Sequence, residues 1–189
     1  MATSIIKTDE IRRLNDQVLM SDGALTGNVV FPAGHVVQVV PFQSNSATDN
    51  LTTSWTEIAA SLVSITTKTE NPLIIYNITM SLESDINSTG HGLWSQLMRS
   101  TVSPYTSFAV INTAKTINLG NYNGSFGYTA QSNITDYDYP VVSSGTRIDY
   151  KLRFIKDITS SVHINQQAIS NEPSGTDNYT VGYVMEIQQ

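Results

Sequence analysis

The chain contains no cysteine. That absence removes disulfide staples, thiolate nucleophiles and cysteine-based zinc sites together. It also weakens a reading as a small secreted domain, since such domains commonly rely on disulfides. Charge is scarce as well. Only 14% of residues are charged, ten basic against sixteen acidic, for a net charge of −6. Thinly spread cations on an acidic chain argue against a nucleic-acid partner, because phosphates are held by clustered Lys and Arg. No apolar run reaches the length of a membrane-crossing helix. Asp9 and Glu10 interrupt the apolar start at Ile5 and Ile6, so no signal-peptide core is expected. Synthesis and folding in a cytoplasm follow as the expectation. Also missing are a Gly-x-Ser-x-Gly elbow, a phosphate-binding glycine loop and a dinucleotide fingerprint; Gly124-Ser125-Phe126-Gly127 has the wrong spacing.

What is present is strand patterning. From Thr146 to Phe154 the chain places Ile148, Tyr150, Leu152 and Phe154 on one side at period two. Arg147, Asp149, Lys151 and Arg153 fall on the other. Successive side chains of a strand point to opposite faces, so this run predicts a strand with one buried and one wet face. Shorter pieces repeat the style. Val36–Val40 is a β-branched run that reads as a well-buried strand. Strands are also expected over residues 58–67, 93–100, 105–111, 162–165 and 179–187. In the last of these Tyr179, Val181, Tyr183, Met185 and Ile187 share one face, and the strand reads as part of the core. Leu73–Leu82 reads as a long strand with both faces partly apolar, which suggests cover on both sides, by the core and by a neighbouring subunit. With 40% hydrophobic residues in 189, the chain can fill one core. An all-β sandwich is the predicted class.

Two unequal parts are expected, a leader over residues 1–33 and a body over 34–189. In the leader, Thr8 or Asp9 is placed to cap a short helix carrying Ile11, Leu14 and Val18 on one face. Two turns of apolar stripe are too short to stand alone. With Ile5, these residues are candidates for docking or trimerisation. Ser21-Asp22-Gly23 then supplies turn chemistry.

Three groups of residues carry candidate chemistry. Tyr122, Phe126, Tyr128, Tyr137 and Tyr139 are set among Gly and Asn in what reads as a long loop. That mixture suits recognition of a glycan or protein, and equally a loop pinned by its own aromatics. Asp136 and Asp138 fall on one side of an extended segment. They could serve calcium or a glycosidase mechanism, but read better as solvated loop acids. His35, His91 and His163 are far apart in sequence and lack ligand spacing, so no metal or cofactor is expected. Asn-x-Ser/Thr triplets begin at Asn50, Asn77, Asn87, Asn123, Asn133 and Asn178. In a chain rich in Ser and Thr, chance accounts for them better than glycosylation does.

Three segments carry a resemblance. They are the opening Met1–Ile11, the stretch Gly27–Val40 with its Pro32-Ala33-Gly34-His35-Val36-Val37-Gln38-Val39-Val40, and the pair Thr146–Phe154 and Tyr183–Ile187. Together they resemble virion fibre-like proteins of tailed phages, of the kind common in marine and cyanobacterial phages. The match covers both ends of the body and hardly touches the middle. It implies a jelly-roll-like antiparallel β-sandwich behind a short leader, homotrimeric assembly and contact with other virion proteins; from the charge and hydropathy above, no nucleic-acid or membrane partner is expected. It also implies a place on the virion and leaves tail fibre, head fibre and capsid decoration open. Leaders in that family are mostly extended, whereas this one reads as partly helical. The competing class is an enzyme on surface polysaccharide, with Asp136 and Asp138 as its acids.

Overall fold

The computed structural model describes residues 10–12, 18–21, 24–25, 33–47, 51–84, 92–118, 128–156, 162–165 and 179–189. Strands β1 (Glu10–Arg12), β2 (Val18–Ser21) and β3 (Ala24–Leu25) form a small antiparallel sheet of their own. This corrects the expected leader helix. Ile11 pairs with Met20 and Arg12 with Val18, so residues placed on one helical face lie instead on two facing strands. A two-turn helix leaves most of its terminal backbone groups unpaired, whereas a strand pair satisfies them across the chain.

The body contains β4 (Val36–Ser44), β5 (Thr56–Glu57), β6 (Val63–Thr66) and β7 (Leu73–Ser84). After these come β8 (Gly92–Ser100), β9 (Ala109–Val110), β10 (Lys115–Asn118) and β11 (Tyr128–Asp138). Last are β12 (Arg147–Lys156), β13 (Val162–Ile164) and β14 (Thr180–Ile187). Their pairing is antiparallel throughout. One sheet runs β10-β8-β12-β5, with β9 also on β8 and β6 also on β12; the other runs β11-β7-β14-β4, with β13 on β7. Taking β5 with β6, β9 with β10 and β13 with β14 as broken strands, each sheet is four strands wide. The chain order within them is that of a jelly roll, as expected.

Alternation explains the core. Ile148, Tyr150, Leu152 and Phe154 of β12 are wholly buried. Ile74, Tyr76, Ile78, Met80 and Leu82 of β7 meet them from the opposite sheet. Each such side chain contributes about 1.5–3 kcal/mol of burial. Phe42, Tyr76 and Tyr150 form a ring series through the interior, with centroids 6.1 and 6.4 Å apart.

Two breaks occur at one level of the β8–β12 pair, where Leu97 faces Leu152. On one edge a 3₁₀ turn, Ala59–Ser61, interrupts the strand, and the Leu152 amide donates to Ser61 Oγ at 2.8 Å. On the other edge the Leu97 amide donates to Asn112 Oδ1 at 2.9 Å. Side-chain oxygens thus replace ladder acceptors that would otherwise be missing.

Two expectations about faces are overturned. β4 is an edge strand, not a well-buried one, with Val36 and Val39 exposed. β14 lies inside its sheet, but its apolar face points outward; the residues turned to the core are Thr180, Gly182, Val184 and Glu186. Glu186 is fully buried. Its carboxylate accepts from the Lys68 amide at 2.9 and 3.0 Å, the Thr69 amide and hydroxyl at 2.8 Å each, and Gln38 Nε2 at 2.5 Å. All of these donors are neutral, so the strand inverts in order to place an acceptor among them.

Gly182 has its own constraint. A Cβ there would lie 2.3 Å from the Asn77 carbonyl oxygen and 3.0 Å from the Phe42 ring. Gly182→Ala is therefore expected to cost about 3 kcal/mol or more by forcing β14 off β7, read as a lowered urea midpoint at fixed protein concentration. Glu186→Gln keeps the shape but sets an amide against backbone N–H groups. A loss of roughly 2–3 kcal/mol is expected in the same measurement.

Candidate functional site

The acids of β11 are not solvated. Asp136 and Asp138 sit opposite Tyr76 and Ile74 of β7 and point between the sheets, 2% and 7% exposed. Arg99, from β8 of the other sheet, donates to both oxygens of Asp138 at 2.8 and 2.7 Å. Tyr150 of β12 donates to the same carboxylate at 2.7 Å. Asp136 forms an ion pair with Lys115 and accepts from Asn112 Nδ2 at 2.6 Å. Lys115 also donates to the Thr135 carbonyl at 2.7 Å. Both acids thereby join β11 to the opposite sheet, with Asp136 Oδ2 buried and without a hydrogen-bond partner of its own. This corrects the loop-acid reading: a segment read as loop is an edge strand, and its inward parity carries the carboxylates into the sandwich.

The outer face of the same sheet is the candidate functional surface. Between Leu73 and Ser81 of β7, the outward residues and their neighbours on β4, β11 and β14 include no charged side chain. One row across the four strands reads Val39, Met185, Ile75, Tyr137. Val39 is 49% exposed, Val181 43% and Tyr137 55%. The next two rows supply a polar centre. Asn77 Nδ2 donates to Thr135 Oγ1 at 2.6 Å, and Asn133 Nδ2 donates to Thr79 Oγ1 at 3.0 Å. Two of the Asn-x-Thr triplets are thus partners across β7 and β11, which gives them a structural use.

The outer face of the β8–β12 sheet is different. Its basic residues lie against rings: Arg147 over Tyr105 at 4.5 Å, Lys151 over Phe108 at 3.7 Å and Arg153 over Trp55 at 4.6 Å. Arg147 also binds Asp149, which holds its guanidinium pKa above the ordinary value.

The candidate residues read from the sequence are not gathered into one site. Tyr122 and Phe126 lie outside the described residues, as do Ile5, Leu14 and His91. Tyr128 opens β11, while Tyr137 and Tyr139 stand exposed at its far end. Nine residues of strand put roughly 30 Å between Tyr128 and Tyr137, so no single loop presents all five aromatics. Ile11 and Val18 are in the leader sheet. His35 is exposed just before β4, and His163 is half-buried on β13. Among the described residues no three His, Asp or Glu side chains are grouped as metal ligands. The outward row of β14 was visible in the sequence as an apolar face; only its direction was misread.

No protein-family model matches the chain, and no curated protein does. Among solved structures it is similar to dimeric latent PorU from Porphyromonas gingivalis, at 10% identity and TM-score 0.35, covering 86% of this chain and 14% of that one. It is also similar to a chain of the infectious bursal disease virus Gx strain, at 12% identity and TM-score 0.31, covering 87% and 46%. The chain spans about a seventh of the first and under half of the second. Neither likeness bears on what it does.

The interior carries a consequence for pH. Burial raises the pKa of the Tyr76 hydroxyl, with a further push from Asp136. Burial, then the charge and hydrogen bond of Asp138, raises that of Tyr150. Each phenol holds its proton more tightly folded than unfolded, where it titrates near the usual value of about 10. The stabilisation is complete below pH ~10 and is lost as pH rises above it, by up to about 1.4 kcal/mol per pH unit per tyrosine. Urea midpoints should fall steeply above that pH, and Tyr150→Phe should make the fall shallower.

Proposed function

We propose that the protein is a structural subunit of a phage virion, assembling as a homotrimer through the outer face of the β7–β14 sheet and attached through its leader. The observation that carries this reading is the uncharged, largely apolar outer face. Four strands at ~4.8 Å spacing and about seven residues of length give roughly 450 Å² in plane. The apolar rows make up part of that area, within the range of the largest apolar patches monomers expose, and closed symmetry lets one such patch cover itself in every copy. The fibre-like resemblance of both ends supports the same reading, and the strands of the leader fit the extended leaders of that family.

In this reading the protein works by position and contact, holding its place on the virion and presenting the sandwich to the host surface. Repetition about a symmetry axis then multiplies modest contacts into firm attachment. Capsid decoration without a receptor role is the second reading, favoured by the absence of charge on the assembly face. The polysaccharide-enzyme reading loses its candidate acids, since Asp136 and Asp138 are buried and held by cations.

Light scattering tests the assembly. The intact chain should have the mass of three copies, and Met185→Lys, which sets a charge in the apolar row of the face, should yield a folded monomer by circular dichroism. A wild-type monomer at micromolar concentration, or a trimer indifferent to Met185→Lys, would sink the proposal.

A further inference from the structure

The chain has two tryptophans, and both belong to the outer face of the β8–β12 sheet. Trp94 alternates with Leu93, Ser95 and Leu97, which are wholly buried, so it points outward; its partner on β12 is Ile155. On the other side of β12, Arg153 pairs with Glu57 and Phe154 with Thr56. Continuing that register sets Trp55 opposite Ile155. The Arg153 guanidinium, 4.6 Å from the Trp55 ring, fixes the indole on this outer face. Trp94, Ile155 and Trp55 thus make one row across three neighbouring strands, each partly exposed. The tryptophan positions are two strand spacings apart, about 10 Å.

The rest of the face decides what that row can be. Toward Ser100 the chain folds over the sheet: Tyr105 and Phe108 lie on Arg147 and Lys151, and Met98 and Asp149 are buried. The tryptophan end has no such cover among the described residues. The row beside it is Gln96, Arg153 and Glu57, an amide, a guanidinium and a carboxylate, with Gln96 bonded to Arg153 and Asn112 and Glu57 to Lys151. Arg153 differs from its neighbours. Arg99, Lys115, Arg147 and Lys151 each pair with a carboxylate. Arg153 donates twice to Gln96 Oε1, at 2.9 and 2.7 Å, and pairs with no carboxylate among the described residues.

We propose that Trp94, Ile155 and Trp55 form a ledge for an extended acidic glycan, with two sugar rings on the indoles and a uronate carboxylate on Arg153. Flat indoles present apolar area to the C–H face of a pyranose while keeping a polar edge wet. A two-strand spacing suits alternate residues of an extended β-1,4-linked chain. The adjoining row supplies donors and acceptors for hydroxyls, and a guanidinium matches a carboxylate by charge and shape. The ledge is on the opposite sheet from the proposed assembly face and stands whether or not the chain is a trimer.

Because the chain has these two tryptophans alone, its intrinsic emission reads the site directly. Titration of the full chain with a β-1,4-mannuronate hexamer should give a saturable emission change, and cellohexaose should bind about tenfold more weakly, equivalent to roughly 1.4 kcal/mol. Trp94→Ala should weaken the mannuronate complex by about tenfold or more, with Trp55 still reporting, and Trp94→Phe should restore part of the loss. Arg153→Gln should bring the two hexamers to equal affinity. No saturable change at millimolar hexamer, equal affinity of the wild type for both sugars, or Trp94→Ala binding as the wild type does would overturn the proposal. So would free protein whose emission iodide fails to quench, because the ledge would then be covered.

Discussion

The closure of the sandwich depends on two carboxylates reaching inward from an edge strand. Asp136 and Asp138 leave the β11 edge and take cations from β8 and β10 of the facing sheet. Buried ion pairs add little net stability over an apolar substitute, but a lone buried charge costs several kcal/mol. The arrangement therefore acts mainly through exclusion. A one-residue slip of β11 would turn both acids outward and drive Thr135 and Tyr137 into the core. Arg99 and Lys115 would then lose their partners. Register, sheet closure and the parity of every β11 side chain follow from this one requirement.

The same requirement shapes the outside. Glu186 on β14 also turns inward, onto the amides of Lys68 and Thr69. With Asp136, Asp138 and Glu186 consumed within, Tyr, Val, Met, Asn and Thr remain to face outward on the β7–β14 sheet. This departs from the usual arrangement, in which a sheet hides an apolar face and wets a charged one: here the outward face is uncharged as well. The opposite sheet keeps the common arrangement and sets its cations against aromatic rings. One domain thus presents two unlike surfaces, one suited to covering by protein and one to polar ligands. The jelly-roll topology by itself decides neither duty; the side chains on its outer faces do.

Between those faces, polar side chains stand in for backbone acceptors. At the level of Leu97 and Leu152, Ser61 and Asn112 patch the two edges of the β8–β12 sheet. Each sheet edge can bend there without leaving an amide unpaired. Trp55 and Trp94 lie beyond that level toward Lys156, and Tyr105 on the other side of it, so the two interruptions fall between the described open and covered halves of the outer face.

The sequence determined the class of fold. Period-two patterning identified β12, β7, β13 and β14 as strands, and the absence of cysteine and scarcity of charge excluded whole families of chemistry. What alternation states is that two faces of a strand differ. It is silent on which face meets the core, because that depends on the sheet packed above and on where polar groups find partners. Hence β14 was identified as a strand but turned the wrong way, and Asp136 and Asp138 were taken for surface acids. The leader was misread for a related reason: Ile11 and Val18 fit a short helix by spacing, and only pairing with a second segment favours strands. The Trp94 and Trp55 row was illegible for the same cause. Thirty-nine positions apart in sequence, the two become neighbours only because β12 lies between their strands, a juxtaposition that tertiary packing alone decided.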